Sequence, residues 1–284
     1  VGIDENDNKI EANYYDSLGQ PCLILNGYAV VKLEYNENNI QIKESYFDTE
    51  YKPILSKDGF ASMENEYDTR GNLIKESYFD VGGNLITIID GYASVECEYD
   101  ERGNCIKIKF FGTDKLPILN VDGYASIEFE YDERGNEIKL CYFGIDGKPI
   151  LTSFGFATFT SEYDERNNKI KESYFGVNGK PILSIWGDAG YISEYDERGN
   201  CIKIKSFGID YNPILNAQGY TTRKSEYDKY NNLVKESFFG IDEKPILLEK
   251  GYSEIQYKYD DYYNLVSTIY LDLYGNIVQE TFSE

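Results

Sequence analysis

Among its 284 residues the chain has no histidine, one methionine, one tryptophan, five cysteines and seven prolines, and 28 basic residues stand against 50 acidic ones. Without histidine the usual general base, triad member and zinc ligand is missing, and most hydrolase and metalloenzyme schemes fall with it. The net charge is -22, with lysines and arginines set singly among carboxylates. Phosphate contacts need clustered cations, so DNA, RNA and anionic membranes are excluded as partners, while a cation or a basic partner is better tolerated. Of Cys22, Cys97, Cys105, Cys141 and Cys201, only Cys105 and Cys201 share a phase in the repeat that organises the chain. That is neither a disulfide framework nor a metal spacing, so the thiols read as small packed hydrophobes. No run resembles a transmembrane span or a signal peptide, and Val1-Gly2-Ile3-Asp4 enters the repeat almost at once, as in a cytosolic protein or a mature or excised piece.

What the chain does have is a period. Tyr35, Tyr67, Tyr99, Tyr131, Tyr163, Tyr195, Tyr227 and Tyr259 lie 32 residues apart without an insertion or deletion. Eight full units result (3-34, 35-66, 67-98, 99-130, 131-162, 163-194, 195-226 and 227-258), with a ninth, shorter one at 259-284. Enzyme loops normally vary in length, whereas an invariant period demands one stacking geometry repeated along the array. A scaffold or a binding surface is therefore expected, not an enzyme.

Residues 124-143 show what one unit is. Ala125, Ile127, Phe129 and Tyr131 alternate with Ser126, Glu128, Glu130 and Asp132, the period-two pattern of a strand with one buried face. The chain then turns at Glu133-Arg134-Gly135-Asn136, where the Gly135 position is mostly Gly or Asn in sister units, residues that take positive φ readily. A four-residue loop sets Tyr131 opposite Ile138 and Glu130 opposite Lys139. The Glu/Lys pairing recurs as Glu66/Lys75, Glu98/Lys107, Glu162/Lys171, Glu194/Lys203 and Glu226/Lys235, and it pins the register. The linker, as in Phe143-Gly144-Ile145-Asp146-Gly147-Lys148-Pro149-Ile150-Leu151, carries all seven prolines and so is a turn or an edge. Tyr131-Asp132-x-x-Gly135-Asn136 and Phe143-Gly144-x-x-Gly147-Lys148 share one form, which implies two related turns per unit. With no helical periodicity, the expected fold is all-β: 32-residue hairpin repeats stacked into an elongated solenoid or superhelix.

The second strand ends in adjacent aromatics such as Tyr46-Phe47, Tyr78-Phe79 and Tyr142-Phe143, and neighbours in a strand point to opposite faces. The outward ring either packs against the following unit as an inter-repeat ladder or forms a row on which a sugar or another flat ligand stacks. On the second reading the candidate ligand-binding residues are Phe47, Phe79, Phe111, Phe143, Phe175, Phe207 and Phe239. Trp186 joins them: it sits in the most irregular segment, Ile185-Trp186-Gly187-Asp188-Ala189-Gly190-Tyr191, either as a unique contact point for a partner or as drift in a surface loop. Asp4-Glu5-Asn6-Asp7-Asn8 has the D-x-N-x-N spacing of a calcium loop but has Lys9 where that loop needs glycine, and it coincides with the repeat's ordinary turn. Turn carboxylates such as Asp100, Asp132, Asp164 and Asp196 either cap their own turns or bind cations weakly in rows. No metal and no cofactor is expected.

The string Tyr-Asp-Glu-Arg-Gly-Asn at 99-104, 131-136 and 195-200 resembles the YD or RHS-type repeats of bacterial surface and toxin proteins. The segment Tyr142-Leu151 is similar to the hairpin-and-loop repeats of choline-binding and clostridial-toxin cell-wall-binding modules. These resemblances imply β-sheet shells or hairpin superhelices without catalytic residues, on the bacterial surface or secreted. The expected role is a non-enzymatic module that binds glycan or protein partners along the aromatic face; the alternative is an architectural spacer or shell segment presenting or enclosing further domains of a longer chain. A cytoplasmic location is the alternative to an extracellular one.

Overall fold

A computed structural model describes residues 1–283, and among them every regular element is a β-strand. Two compact units divide the chain: Val1–Glu130 with Tyr142–Pro149, and Tyr131–Cys141 with the chain from Ile150 onward. The first holds the hairpins Gly2–Ile3 with Lys9–Asn13, Val30–Tyr35 with Gln41–Phe47, Ser62–Tyr67 with Leu73–Phe79, and Ser94–Tyr99 with Cys105–Phe111. The second holds Thr158–Tyr163 with Lys169–Phe175, Gly190–Tyr195 with Cys201–Phe207, Thr222–Tyr227 with Leu233–Phe239, Glu254–Tyr259 with Leu265–Leu271, and the last strand Ile277–Phe282. Strands Ser126–Tyr131 and Glu137–Phe143 contribute residues to both units. Inside each unit the strands are antiparallel and follow one another in chain order as an open sheet. The trailing strand of one hairpin joins the leading strand of the next through three residues, as in Lys75↔Glu96, Glu76↔Val95 and Ser77↔Ser94.

The expected Glu/Lys register is present: Glu66 faces Lys75, Glu98 faces Lys107 and Glu194 faces Lys203. The tyrosine register is not the expected one. Tyr67 faces Leu73 and Tyr163 faces Lys169, one residue short of the Tyr131/Ile138 type of pairing, because a bulge follows each glutamate. The loop explains it. Asp68 N–H donates to Asn72 O (2.9 Å) and Gly71 N–H to Asp68 O (3.0 Å), with Gly71 at φ 87°, so the turn closes over five residues and ends in a left-handed residue, the geometry that leaves a G1-type bulge in a hairpin.

The same closure occurs three times per repeat, so the turn before each leading strand shares the form of the other two. Asp80 N–H meets Asn84 O (2.8 Å) in the linker, and Ser56 N–H meets Phe60 O (2.8 Å) before the next leading strand. The prolines stand just beyond the linker turn, where Pro53 and Pro149 bridge back to Phe47 and Phe143. Proline suits that position because the returning segment makes a single bridge, not a full ladder.

Candidate functional site

The tyrosine that sets the period is a tie between hairpins. Tyr67 hydroxyl donates to Gln41 O (3.0 Å), Tyr99 to Leu73 O (2.8 Å), Tyr163 to Glu137 O (2.9 Å) and Tyr195 to Lys169 O (2.9 Å), each 26 residues upstream on the preceding hairpin's trailing strand. Phenylalanine at these places would lack the donor. The arginine of Tyr-Asp-Glu-Arg-Gly-Asn is a second tie: Arg134 Nη1 donates to Asp164 O (2.6 Å), and Arg198 Nη1 to Asp228 O (2.6 Å), in the next turn, and Arg70 does the same with Asp100 O (2.9 Å). Where tyrosines replace this pattern, Tyr230 and Tyr263 meet edge-on at 4.7 Å. A third tie joins the turns before the leading strands, through Lys57 N–H to Asn26 O (2.8 Å) and Ala217 N–H to Trp186 O (2.7 Å).

The turn aspartates cap their own loops. Asp68 Oδ1 accepts the Arg70 and Asn72 amides (2.8 and 2.9 Å) and Oδ2 the Asn72 side chain (2.9 Å), which holds its carboxyl down at about 2. Asp4 does the same with Asn6 and Asn8, so the calcium-like stretch is the repeat's ordinary turn. Across the strands, lysines join both neighbours: Lys75 Nζ lies 3.5 Å from Glu66 and 3.8 Å from Glu96, and Lys235 3.2 Å from Glu226 and 3.3 Å from Glu254.

An aromatic ladder runs through the core, and its rungs are the inward rings. The first residue of each aromatic pair alternates with the aromatic that follows the glycine before each leading strand. In the first unit Tyr28–Tyr46 (4.4 Å), Phe60–Tyr78 (4.9 Å), Tyr92–Phe110 (4.8 Å) and Tyr124–Tyr142 (4.8 Å) are joined by contacts of 5.6 to 6.1 Å. The outward rings lie on the opposite face. Phe47, Phe79, Phe111, Phe143, Phe175 and Phe239 are half-buried there, bridged to the residue at the proline position of their own linker. Lysines cover two of them, Lys32 over Phe47 at 5.2 Å and Lys224 over Phe239 at 4.6 Å. In the first unit this face forms a groove of about 490 Å³ whose walls include Phe79, Phe111, Lys75, Glu64 and Glu96.

Phe207 is different: it is only 4% exposed and packs over Gly190, where a Cβ would come within 2.5 Å of its ring. Around it the ladder of the second unit is interrupted. Phe156 stacks on Tyr174 (4.7 Å) and Trp186 leans on Tyr174 (6.0 Å), but the next two rung positions are Asp188 and Ser206. The ladder resumes with Tyr220–Phe238 (5.0 Å) and Tyr252–Tyr270 (5.0 Å). Asp188 is 6% exposed and Ser206 3%, and the carboxylate accepts the Ser184 hydroxyl (3.1 Å) and the Ser206 hydroxyl (2.8 Å). Burial pushes the Asp188 carboxyl up against the pull of those two hydroxyls. The missing rings leave a cavity of about 300 Å³ whose walls include Tyr174, Trp186, Tyr191 and Tyr220. Trp186, 46% exposed, forms part of the wall and reaches solvent. Sequence reasoning singled out Trp186 but neither Asp188 nor Ser206, although both break an aromatic column visible in the 32-residue alignment.

No family model matches the chain, and none of the curated proteins does. Among solved structures it is similar to the TcdB2-TccC3-TEV complex, at 14% identity and a TM-score of 0.40 over 96% of this chain and 15% of that one. It is also similar to TcdB2-TccC3 without its hypervariable C-terminal region (12%, TM-score 0.38, 96% and 15%). A third is the Photorhabdus luminescens Tc holotoxin pore (14%, TM-score 0.31, 92% and 14%). The chain spans 14% to 15% of the length of those proteins, and at such scores the likeness carries no functional weight.

Proposed function

We propose that the chain is a non-catalytic structural repeat module that presents or encloses another part of a longer protein. The observation that supports this reading most is how the recurrent side chains are used. Tyrosine hydroxyls, arginine forks, lysine amines and inward rings all bind the neighbouring hairpin, which suits a structural role in which the recurrent side chains hold the array together. The test is removal of one whole unit, residues 67 to 98, so that Glu66 runs into Tyr99 in phase. A spacer folds after this deletion with its melting transition still cooperative and its strand signal scaled to length. Loss of folding, or saturable binding on a glycan array that Phe79→Ala abolishes, would overturn the proposal.

A second reading is favoured by the groove around Phe79 and Phe111: a glycan or a peptide stacks on these rings with Glu96 and Lys75 as polar contacts. The Phe79→Ala and Phe111→Ala variants on the same array separate the two readings, since a spacer is indifferent to both.

A further inference from the structure

The break in the ladder is a built cavity with chemistry of its own. Both altered positions face the core, and both changes are needed for the polar contact: Ser206 supplies the hydroxyl that Asp188 accepts. An ionised carboxylate has about four acceptor sites, and the two serines fill two of them. Among the described residues no lysine or arginine lies within ion-pair distance of Asp188. The charged group that acts on it is Glu172, of like sign and engaged with Lys169 at 2.7 Å, while Arg223 is spent on Glu236 at 3.1 Å. A buried carboxylate without a counter-ion is costly, and here it lies at an apolar cavity walled by four aromatic rings, faces that attract cations.

We infer that this cavity is a binding site for an organic cation with N–H donors, a primary ammonium or a guanidinium on an apolar stem, whose charge meets Asp188 and whose stem takes the place of the two missing rings. A quaternary ammonium has no N–H to offer the open acceptor sites, so it should bind less well than a primary one of the same shape. The same chemistry comes from a free amine or from a lysine or arginine side chain of a protein segment.

Trp186 is the only tryptophan in the chain, so its emission reports on the site without labelling. Titration with benzylamine should give a saturable change in that emission. Hydrogen bonds to a charged group imply a loss of about tenfold or more for benzyl alcohol, for benzyltrimethylammonium and for the Asp188→Asn variant. The double variant Asp188→Tyr/Ser206→Tyr restores the sister residues, fills the cavity and should abolish the response while the protein stays folded; it keeps the test decisive if Asp188→Asn folds poorly. A capped Gly-Lys-Gly peptide is run in parallel: tighter binding than benzylamine assigns the site to a protein segment, weaker binding to a free amine, and both support it. A response absent at millimolar benzylamine, equal for benzyl alcohol, or unchanged in the double variant overturns the inference.

Discussion

Replacing Tyr163 by phenylalanine removes one oxygen and leaves the ring. In the native chain that oxygen donates to Glu137 O at 2.9 Å from a half-buried position. A neutral hydrogen bond of this kind contributes ~0.5–1.5 kcal/mol net. Tyr195 and Tyr227 make the equivalent bonds to Lys169 O (2.9 Å) and Cys201 O (3.2 Å), with separate acceptors, so the triple variant should lose about 3 kcal/mol by addition. The thermal effect depends on how much of the chain melts together. At about 2.1 cal/mol/K per residue, 284 residues give an unfolding entropy of roughly 0.6 kcal/mol/K, so a single variant shifts Tm by under ~2 °C and the triple by ~5 °C. If pairs of repeats melt as separate blocks, the single shift rises to roughly 7 °C, and only the blocks carrying the change move. Calorimetry with urea titrations on the single and triple variants reads both quantities. Unchanged midpoints in the triple variant would refute the assignment of these hydroxyls as ties between hairpins.

Gly190→Ala should cost more than ~3 kcal/mol by urea titration, because its Cβ would stand 2.1 Å from Glu172 O and 2.5 Å from the Phe207 ring at a φ of +148°; a neutral outcome would mean that the strand can shift freely there. Conversely, Lys115→Gly relieves a left-handed residue at φ 63°, so the urea midpoint should rise slightly or hold, whereas Lys115→Val should lower it. The turn aspartates make the fold acid-sensitive. Asp68 is held down to about 2, below its unfolded value of 3.8, so its contribution is present above pH ~4 and is lost as pH falls toward 2; Asp188, raised by burial, contributes the other way, losing its part as pH rises. The capped turns outnumber it, so the urea midpoint should fall below pH ~4, and Asp68→Asn should flatten that fall. Burial pushes the Cys97 thiol up to about 11, so it should resist a thiol reagent at neutral pH until the chain is unfolded.

The hairpins could be read from the sequence because each rests on contacts between close neighbours: alternation in residues 124–131, a left-handed residue at Gly135, charge opposite charge at Glu66 and Lys75. The bulge could not, because whether Asn136 belongs to the loop or to the strand turns on a single backbone bond that its side chain does not announce. The ladder lay in between. Its inward rail, Tyr46 and Tyr78, was evident, but its other rail, Tyr28 and Phe60, reads locally as the residue after a turn glycine and gains meaning only when three turns of equal closure bring it onto the same face.

The cavity at Asp188 was the least legible for a related reason. Asp188 and Ser206 stand 18 residues apart, and each alone passes for drift, an acidic residue in a loop and a small one in a strand. Only as adjacent rungs do they become one event, because a lone aspartate against an intact ring would keep Ser184 and lose its shorter hydroxyl bond, and a lone serine would leave half a void. Gly190 and buried Phe207 belong to the same event, since the ring that other units keep half-buried here moves onto the space that a missing Cβ leaves. Three changed residues, Asp188, Gly190 and Ser206, together with a repositioned Phe207, are hard to reach by independent loss, and that coordination is the reason to test this repeat first for a ligand.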